Sequence, residues 1–305
     1  MKRRIIVTVI AIIAVFFLIR MAGCGKKKEA PKNELVQQSE LVFDEAVTLS
    51  KKSPEQAIVA FENIVNNFPE SVQAQKALVK IVEFYNKNDE IALEKDVLIK
   101  LINSYPDGDF TPDALNRVGE INIKMLFSKA QTKNSIIYEV QPGDSLYKIA
   151  QKYKTTVELI MKVNGLKNSL IRPGMKLKIV TSVFKIVVSK TNLDLKLIAD
   201  DEVIKVYQVG IGSDNSTPVG QFKILNRIVD PVWYKTGAIV AAGSDENILG
   251  TRWMGISEPG YGVHGTVDKG PIQNQKTQGC IRMMNSDVEE LFNIVPVNTE
   301  VIIND

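Results

Sequence analysis

Tyr261-Gly262-Val263-His264-Gly265-Thr266 and Thr277-Gln278-Gly279-Cys280-Ile281-Arg282-Met283 hold the only histidine of the chain and one of its two cysteines, with fifteen residues between them. At 305 residues, 45% hydrophobic and 24% charged, the protein has the composition of ordinary globular chains and room for two or three domains. The net charge of +3, from 38 basic and 35 acidic side chains, makes no case for a nucleic-acid binder. Two cysteines and one histidine exclude a disulfide scaffold and make a resident zinc site improbable. The count leaves room for one thiol acting with one imidazole.

A thiol with an ordinary pKa near 8.5 is mostly protonated at neutral pH, so a nucleophilic Cys280 gains from an imidazole that takes its proton. Gly279 and Gly265 flank the pair and let a substrate backbone approach. The Gly279 and Cys280 main-chain N–H groups form a candidate oxyanion hole, and Arg282 a candidate bidentate site for an anionic substrate group. Against this stands the common case of a buried cysteine that merely packs. Upstream, strand-like runs at Phe184 to Val188, Leu195 to Ile198, Val203 to Val209 and Val219 to Ile224, separated by turns such as Gly212-Ser213-Asp214-Asn215, predict an antiparallel β domain. Ser286 and Glu289 predict a capping box for a helix from Asp287 to Ile294. Trp233 and Trp253 are candidates for either the cleft or the core.

Residues Phe184 to Asn304 resemble the YkuD-type L,D-transpeptidase catalytic domain. The likeness rests on the histidine, the Thr-x-Gly-Cys-Ile-Arg-Met stretch, Thr217-Pro218-Val219-Gly220-Gln221-Phe222 and Leu249-Gly250-Thr251-Arg252-Trp253-Met254. The resemblance implies a peptidoglycan L,D-transpeptidase. Cys280 would be the nucleophile, His264 the general base and acid, Gly279 an oxyanion donor and Gly265 a backbone element that orients the histidine. Thr277, Gln278 and Arg282 would contact substrate, with no cofactor and no metal. Many members carry a second histidine where this chain has Gln278, and some carry serine where it has Gly265; a main-chain carbonyl is then expected to orient His264. An NlpC-type endopeptidase is disfavoured because there the cysteine precedes the histidine. A non-catalytic wall-binding lipoprotein is the alternative from another class.

Before this domain, Tyr138-Glu139-Val140-Gln141-Pro142-Gly143-Asp144-Ser145-Leu146 reads as strand, turn and helix start, with Asp144 or Ser145 as cap. A helix from Val157 to Val163 closes on Asn164, and Ile171-Arg172-Pro173-Gly174 turns into a strand from Met175 to Val180. Tyr138 to Val180 thus resembles a LysM module, a βααβ unit. The resemblance implies binding to the glycan of peptidoglycan or chitin, with Gly143, Asp144, Ser145, Ile171 and Pro173 bordering the groove. Turn geometry and capping explain several of these residues equally well.

From Glu34 to Lys129, apolar residues fall at the helical period, as in Ala57, Ala60, Phe61, Ile64 and Val65. Asn63-Ile64-Val65-Asn66-Asn67-Phe68-Pro69-Glu70 recurs as Lys100-Leu101-Ile102-Asn103-Ser104-Tyr105-Pro106-Asp107, offset by 37 residues; in each, an aromatic followed by proline predicts a helix end. The pattern resembles tetratricopeptide-like helix pairs and is expected to be a spacer or a docking surface for envelope proteins. At the N-terminus, a basic start and the apolar run Ile5 to Ile19 precede Met21-Ala22-Gly23-Cys24. The run reaches roughly 22 Å, short of a hydrocarbon core of about 30 Å. It resembles either a bacterial lipobox, with Cys24 lipidated, or an uncleaved membrane anchor.

The expected fold is therefore multidomain: a signal peptide or anchor over 1–24, an α-helical repeat-like segment over 34–129, a small LysM module over 137–181 and a mainly-β, sandwich-like catalytic domain over 183–304. The protein is expected in the cell envelope, membrane-anchored and facing the periplasm or wall. Its expected partners are peptidoglycan strands and stems, without nucleic acid.

Overall fold

A computed structural model of the chain describes residues 32–305 apart from 236 and 276. The expected anchor and Cys24 lie outside these residues, and no described helix is long and apolar enough to cross a membrane. The chain divides into two compact units, one ending at Phe84 and one running from Tyr85 to Asp305.

The first unit contains α1 (Lys32–Ser50), α2 (Pro54–Asn67) and most of α3 (Val72–Lys87). Ala57, Phe61, Ile64, Ala74, Ala77 and Leu78 are all buried, the alanines letting helices approach closely. Phe43 and Phe61 meet with ring centroids 5.7 Å apart, and the buried Ser39 hydroxyl donates to Gln73 Oε1 at 3.1 Å.

The second unit opens with α4 (Ile91–Ser104) and α5 (Thr111–Phe127). The aromatic-proline repeat marks two equivalent helix ends. Phe68 after α2 has φ −130° and ψ 51°, and Tyr105 after α4 has φ −138° and ψ 63°. Each aromatic closes its helix by donating its N–H to the carbonyl four residues back, at 2.9 Å. Arg117 on α5 grips the buried Glu94 carboxylate of α4 through Nε at 2.6 Å and Nη2 at 3.2 Å, fixing the two helices together.

Next, β1 (Ser135–Glu139) pairs antiparallel with β2 (Lys176–Val180), and between them lie α6 (Leu146–Lys152) and α7 (Val157–Asn164). This is the expected βααβ order. Ser145 is the cap of α6, accepting from Lys148 N at 3.2 Å, and Thr156 caps α7 by accepting from Leu159 N at 2.8 Å. Asn164 completes the module: its amide accepts from Lys178 N and donates to Lys178 O, both at 2.8 Å, and so mimics a neighbouring strand along β2. Val140, Leu146, Ile149, Ile160, Leu177 and Ile179 form its core.

The remaining strands are β3 (Phe184–Ser189), β4 (Asp194–Ala199), β5 (Glu202–Gln208), β6 (Gly220–Val229), β7 (Trp233–Lys235), β8 (Ala238–Val240), β9 (Arg252–Ile256), β10 (Gly262–His264), β11 (Ile281–Arg282) and β12 (Glu300–Asn304), with α8 (Asn285–Ile294) between β11 and β12. Eight of them form one sheet in the order β11-β10-β9-β6-β12-β3-β4-β5, while β7 and β8 make a separate hairpin. The long β6 pairs with β12 through its first half and with β9 through its second, with a register shift between Ile224 and Asn226. Both halves of the sheet and α8 share one core, including Ile186, Leu197, Met254, Val263, Ile281, Leu291 and Val301.

Two pairings depart from the expected antiparallel pattern. β3–β12 and β10–β11 are parallel, which long connections permit and local alternation does not reveal. The expected capping box is also absent: α8 begins at Asn285 after Met284, with no side-chain cap, so Ser286 and Glu289 lie inside the helix.

Strand β5 has a partner on one side only, and α5 covers the other. Asn122 Nδ2 donates to Ile204 O at 2.8 Å, and Gly119 sits so close to Lys205 that an added Cβ would meet Lys205 Cγ at 2.8 Å. Covering the edge removes a template for strand addition. Ile123 of α5 is 4% exposed and belongs to the core of the β domain. Ile123→Ala is therefore expected to lower the stability of the β domain by about 3 kcal/mol in denaturant titration; an unchanged midpoint would mean that α5 is a separate stalk.

Candidate active site

The parallel pairing of β10 with β11 aligns Val263 with Ile281 and His264 with Arg282. Side chains alternate along strands, so Val263 and Ile281 share the core face and are buried at 0% and 1% exposure. His264 and Arg282 then share the opposite face, and Cys280, two residues before Arg282, joins them. All three line a cleft of about 870 Å³. Pro231, Val232, Trp233, Tyr234, Ile248, Leu249, Trp253 and Tyr261 give its other walls. Both tryptophans therefore face the cleft.

His264 is 2% exposed, and its Nδ1 lies 2.7 Å from Gly265 O. A carbonyl only accepts, so Nδ1 carries the proton and Nε2 keeps its lone pair. The orienting group is thus a main-chain carbonyl. The Trp253 ring stacks on the imidazole, with centroids 5.9 Å apart and planes inclined at 20°. Burial lowers the histidine pKa to about 4, with the Arg282 charge acting in the same direction and the Gly265 bond opposing it. The imidazole is neutral at pH 7.

The Cys280 thiol is partly exposed and contacts Gly260 O at 3.7 Å. Burial pushes its pKa up, while the Gly262 main-chain N–H and the Arg282 charge favour the thiolate. The thiol and the imidazole, which line the same cleft, are therefore both neutral at rest.

Arg282 is 9% exposed and its Nε has no hydrogen-bond partner. Burial lowers its pKa, and Asp268 and Cys280 support the charge. A cleft guanidinium with an unpaired buried donor is suited to an anionic ligand group.

Thr277 is committed to the fold. Its hydroxyl donates to Cys280 O at 2.6 Å and accepts from Gly279 N at 3.0 Å, while its main chain bridges Ile211 and Ser213. This shapes the turn that presents Cys280 to the cleft and leaves the Gly279 N–H already engaged. Gly279 has φ +129°, and any side-chain carbon there would collide with the Tyr261 ring. Gln278 is exposed at the cleft rim.

Sequence reasoning missed Asn285. Its Oδ1 accepts from Thr251 N at 3.2 Å and Thr266 N at 3.1 Å, tying the start of α8 to β9 and to the segment after His264. Gly265 must remain small, since a Cβ would run into that same amide oxygen.

In the LysM module, the loop carrying Gly143, Asp144 and Ser145 leaves β1 where the loop carrying Ile171 and Pro173 enters β2. Val140 N donates to Met175 O at 2.9 Å and Gly174 N to Val140 O at 2.8 Å, so both loops sit at one end of the β pair. Asp144 Oδ2 accepts from Tyr138 OH at 2.7 Å and Gln141 N at 2.8 Å, which lowers its pKa and pushes that of Tyr138 up to about 12. Gly143 and Gly174 both have φ +86°, as their turns require. Pro173 is exposed, and Ile171 packs partly on the core.

A depressed histidine pKa has a signed consequence. The unfolded chain binds this proton near pH 6.5 and the folded chain only near 4, so His264 makes stability fall as pH drops from 6.5 to 4. The gap corresponds to roughly 3 kcal/mol. His264→Gln is expected to flatten that part of the stability profile; an unchanged slope would mean the imidazole titrates normally.

The family model of the L,D-transpeptidase catalytic domain YkuD matches residues 184–303, and that of the LysM domain matches 138–180. The chain is 32% identical over 176 residues to the putative L,D-transpeptidase YkuD of Bacillus licheniformis, covering 55% of this chain and 98% of that protein. Identity to the putative L,D-transpeptidase YkuD of Bacillus subtilis is 32% over 177 residues, covering 55% and 99%. To the putative L,D-transpeptidase YqjB of Bacillus subtilis it is 36% over 126 residues, covering 39% and 70%. With nearly the full length of two such proteins matched at 32% identity, the chain belongs to the YkuD-type L,D-transpeptidase family.

Proposed function

We propose that the protein is a peptidoglycan L,D-transpeptidase that forms 3→3 cross-links through a cysteine thioester. The observation that carries this reading is the common cleft face of Cys280, His264 and Arg282 on the parallel β10–β11 pair. The Cys280 sulfur attacks the carbonyl of the third residue of a tetrapeptide stem while His264 Nε2 takes the thiol proton. The C–N bond to the terminal D-alanine then breaks, and the imidazolium returns the proton to the leaving amine. An acceptor amine attacks the thioester carbonyl and gives a proton to His264; the C–S bond breaks, the proton passes on to the Cys280 sulfur, and the cross-link is released, while water in place of the amine gives carboxypeptidase activity.

Both groups start neutral, so the thiol proton must move to Nε2 in the course of the reaction. The Cys280 N–H is the main-chain donor proposed for the oxyanion, a contribution of about 3 kcal/mol. Arg282 holds a carboxylate of the donor stem. The LysM module holds the glycan that bears the stems, and the N-terminal segment keeps the enzyme in the envelope. The helical segment serves as spacer and docking surface for envelope proteins.

Purified protein is expected to release D-alanine from a tetrapeptide stem and to gain a carbapenem adduct on Cys280, both lost in Cys280→Ala with wall binding retained. Absence of both signals in the wild type would favour a non-catalytic wall-binding protein. Arg282→Gln is expected to lower kcat/KM roughly ten- to hundredfold, with wild-type values counting against the carboxylate contact.

A further inference from the structure

The LysM module does not hang from the catalytic domain on a free linker. Leu159 and Val163 of α7, both at 0% exposure, and Val180 of β2 belong to the catalytic core, together with Ile186, Phe292 and Val295. The seam is also hydrogen-bonded. The Thr156 hydroxyl donates to Asn293 O at the end of α8. Arg227 of β6 reaches both Glu158 Oε2 at 3.3 Å and the carbonyl of Phe292. Asn134, just before β1, donates to Asp200 Oδ2 at 2.6 Å, and Asp200 Oδ1 accepts from Val183 N at 2.9 Å across the junction between module and domain.

One helix carries this seam to the chemistry. The C-terminal end of α8 receives Thr156 and Arg227, and its first residue, Asn285, holds the main chain beside His264. Separating module from domain would expose Leu159, Val163 and Val180, and would take Glu158 from the partly buried Arg227. Domains that move freely are joined by polar, modest interfaces, unlike this one.

Resting on the transpeptidase reading above, we infer that the module and the cleft act as a fixed-spacing pair whose substrate class is a stem borne on polymeric glycan long enough to occupy both sites at once. Free tetrapeptides and single-disaccharide muropeptides engage the cleft alone. A flexible tether would tolerate any spacing and give a gradual dependence on strand length. A shared core allows only one spacing, so the gain arrives as a step at one number of disaccharides and then levels off.

The test uses the full chain and measures D-alanine release from the free tetrapeptide, a disaccharide tetrapeptide and stem-bearing glycan strands of increasing length. Soluble N-acetylglucosamine oligomers serve as competitor for the module. The expected result is a rise in kcat/KM of about tenfold or more at a threshold length. The competitor should abolish that rise without slowing turnover of the free tetrapeptide. Equal kcat/KM at every length, a rise without a step, or a rise that survives the competitor would overturn the inference while leaving the enzyme reading intact. No D-alanine release from any substrate would overturn the enzyme reading itself.

Discussion

The register between β10 and β11 is the constraint on which the site depends. With His264 opposite Arg282, the intervening Val263 and Ile281 fill the core, and the cysteine, histidine and arginine face the cleft together. A slip of one residue would bury the polar set and expose the apolar one. Several features hold that register. Met283 N donates to His264 O at 2.8 Å, Arg282 exchanges both main-chain bonds with Gly210 at 2.8 Å, and Asn285 pins the chain after the histidine. Glycines at 210, 212, 265 and 279 permit these close approaches, each having a neighbour where a Cβ would stand.

The same burial that secures the geometry sets the chemistry. Removing His264 from water makes it a weak base, and partial burial makes Cys280 a weak acid, so both groups rest neutral. A charge-separated resting state would need no substrate to form and would be open to oxidation. On the proposed mechanism, charge would develop as the sulfur bonds to carbon, where the Cys280 main-chain N–H is the donor offered to it. Such donors act most strongly when fixed before the reaction, and the Thr277 hydroxyl, bonded to both sides of the nucleophile turn, fixes them.

Local pattern made much of this legible. The βααβ module follows from turn glycines and capping residues, and one thiol and one imidazole set among glycines point to the two side chains that the cleft brings together. What was not legible depends on contacts distant in sequence. The Ser286–Glu289 spacing suggests a capping box, but unpaired N–H groups at Thr251 and Thr266 recruit Asn285, and the helix starts earlier. The apolar stripe of α5 shows that the helix is buried without showing that it covers β5. The family resemblance implies ligand contacts at Thr277 and Asp144, while the turn-closing hydrogen bonds that both also make depend on the folded main chain. Apart from Trp233, the wall from Pro231 to Tyr234 carries no local signature of a cleft, and neither does Tyr261.

The central claim is that Cys280 becomes acylated by the stem during turnover. Rapid quenching of the full-length protein with a tetrapeptide donor and no acceptor amine, followed by peptide mass analysis, reads this directly. The account predicts a peptide containing Cys280 heavier by the tripeptide acyl group left after loss of D-alanine, accumulating at the rate of D-alanine release. Steady D-alanine release with Cys280 unmodified at every time point, or an acyl group on another residue, would contradict it.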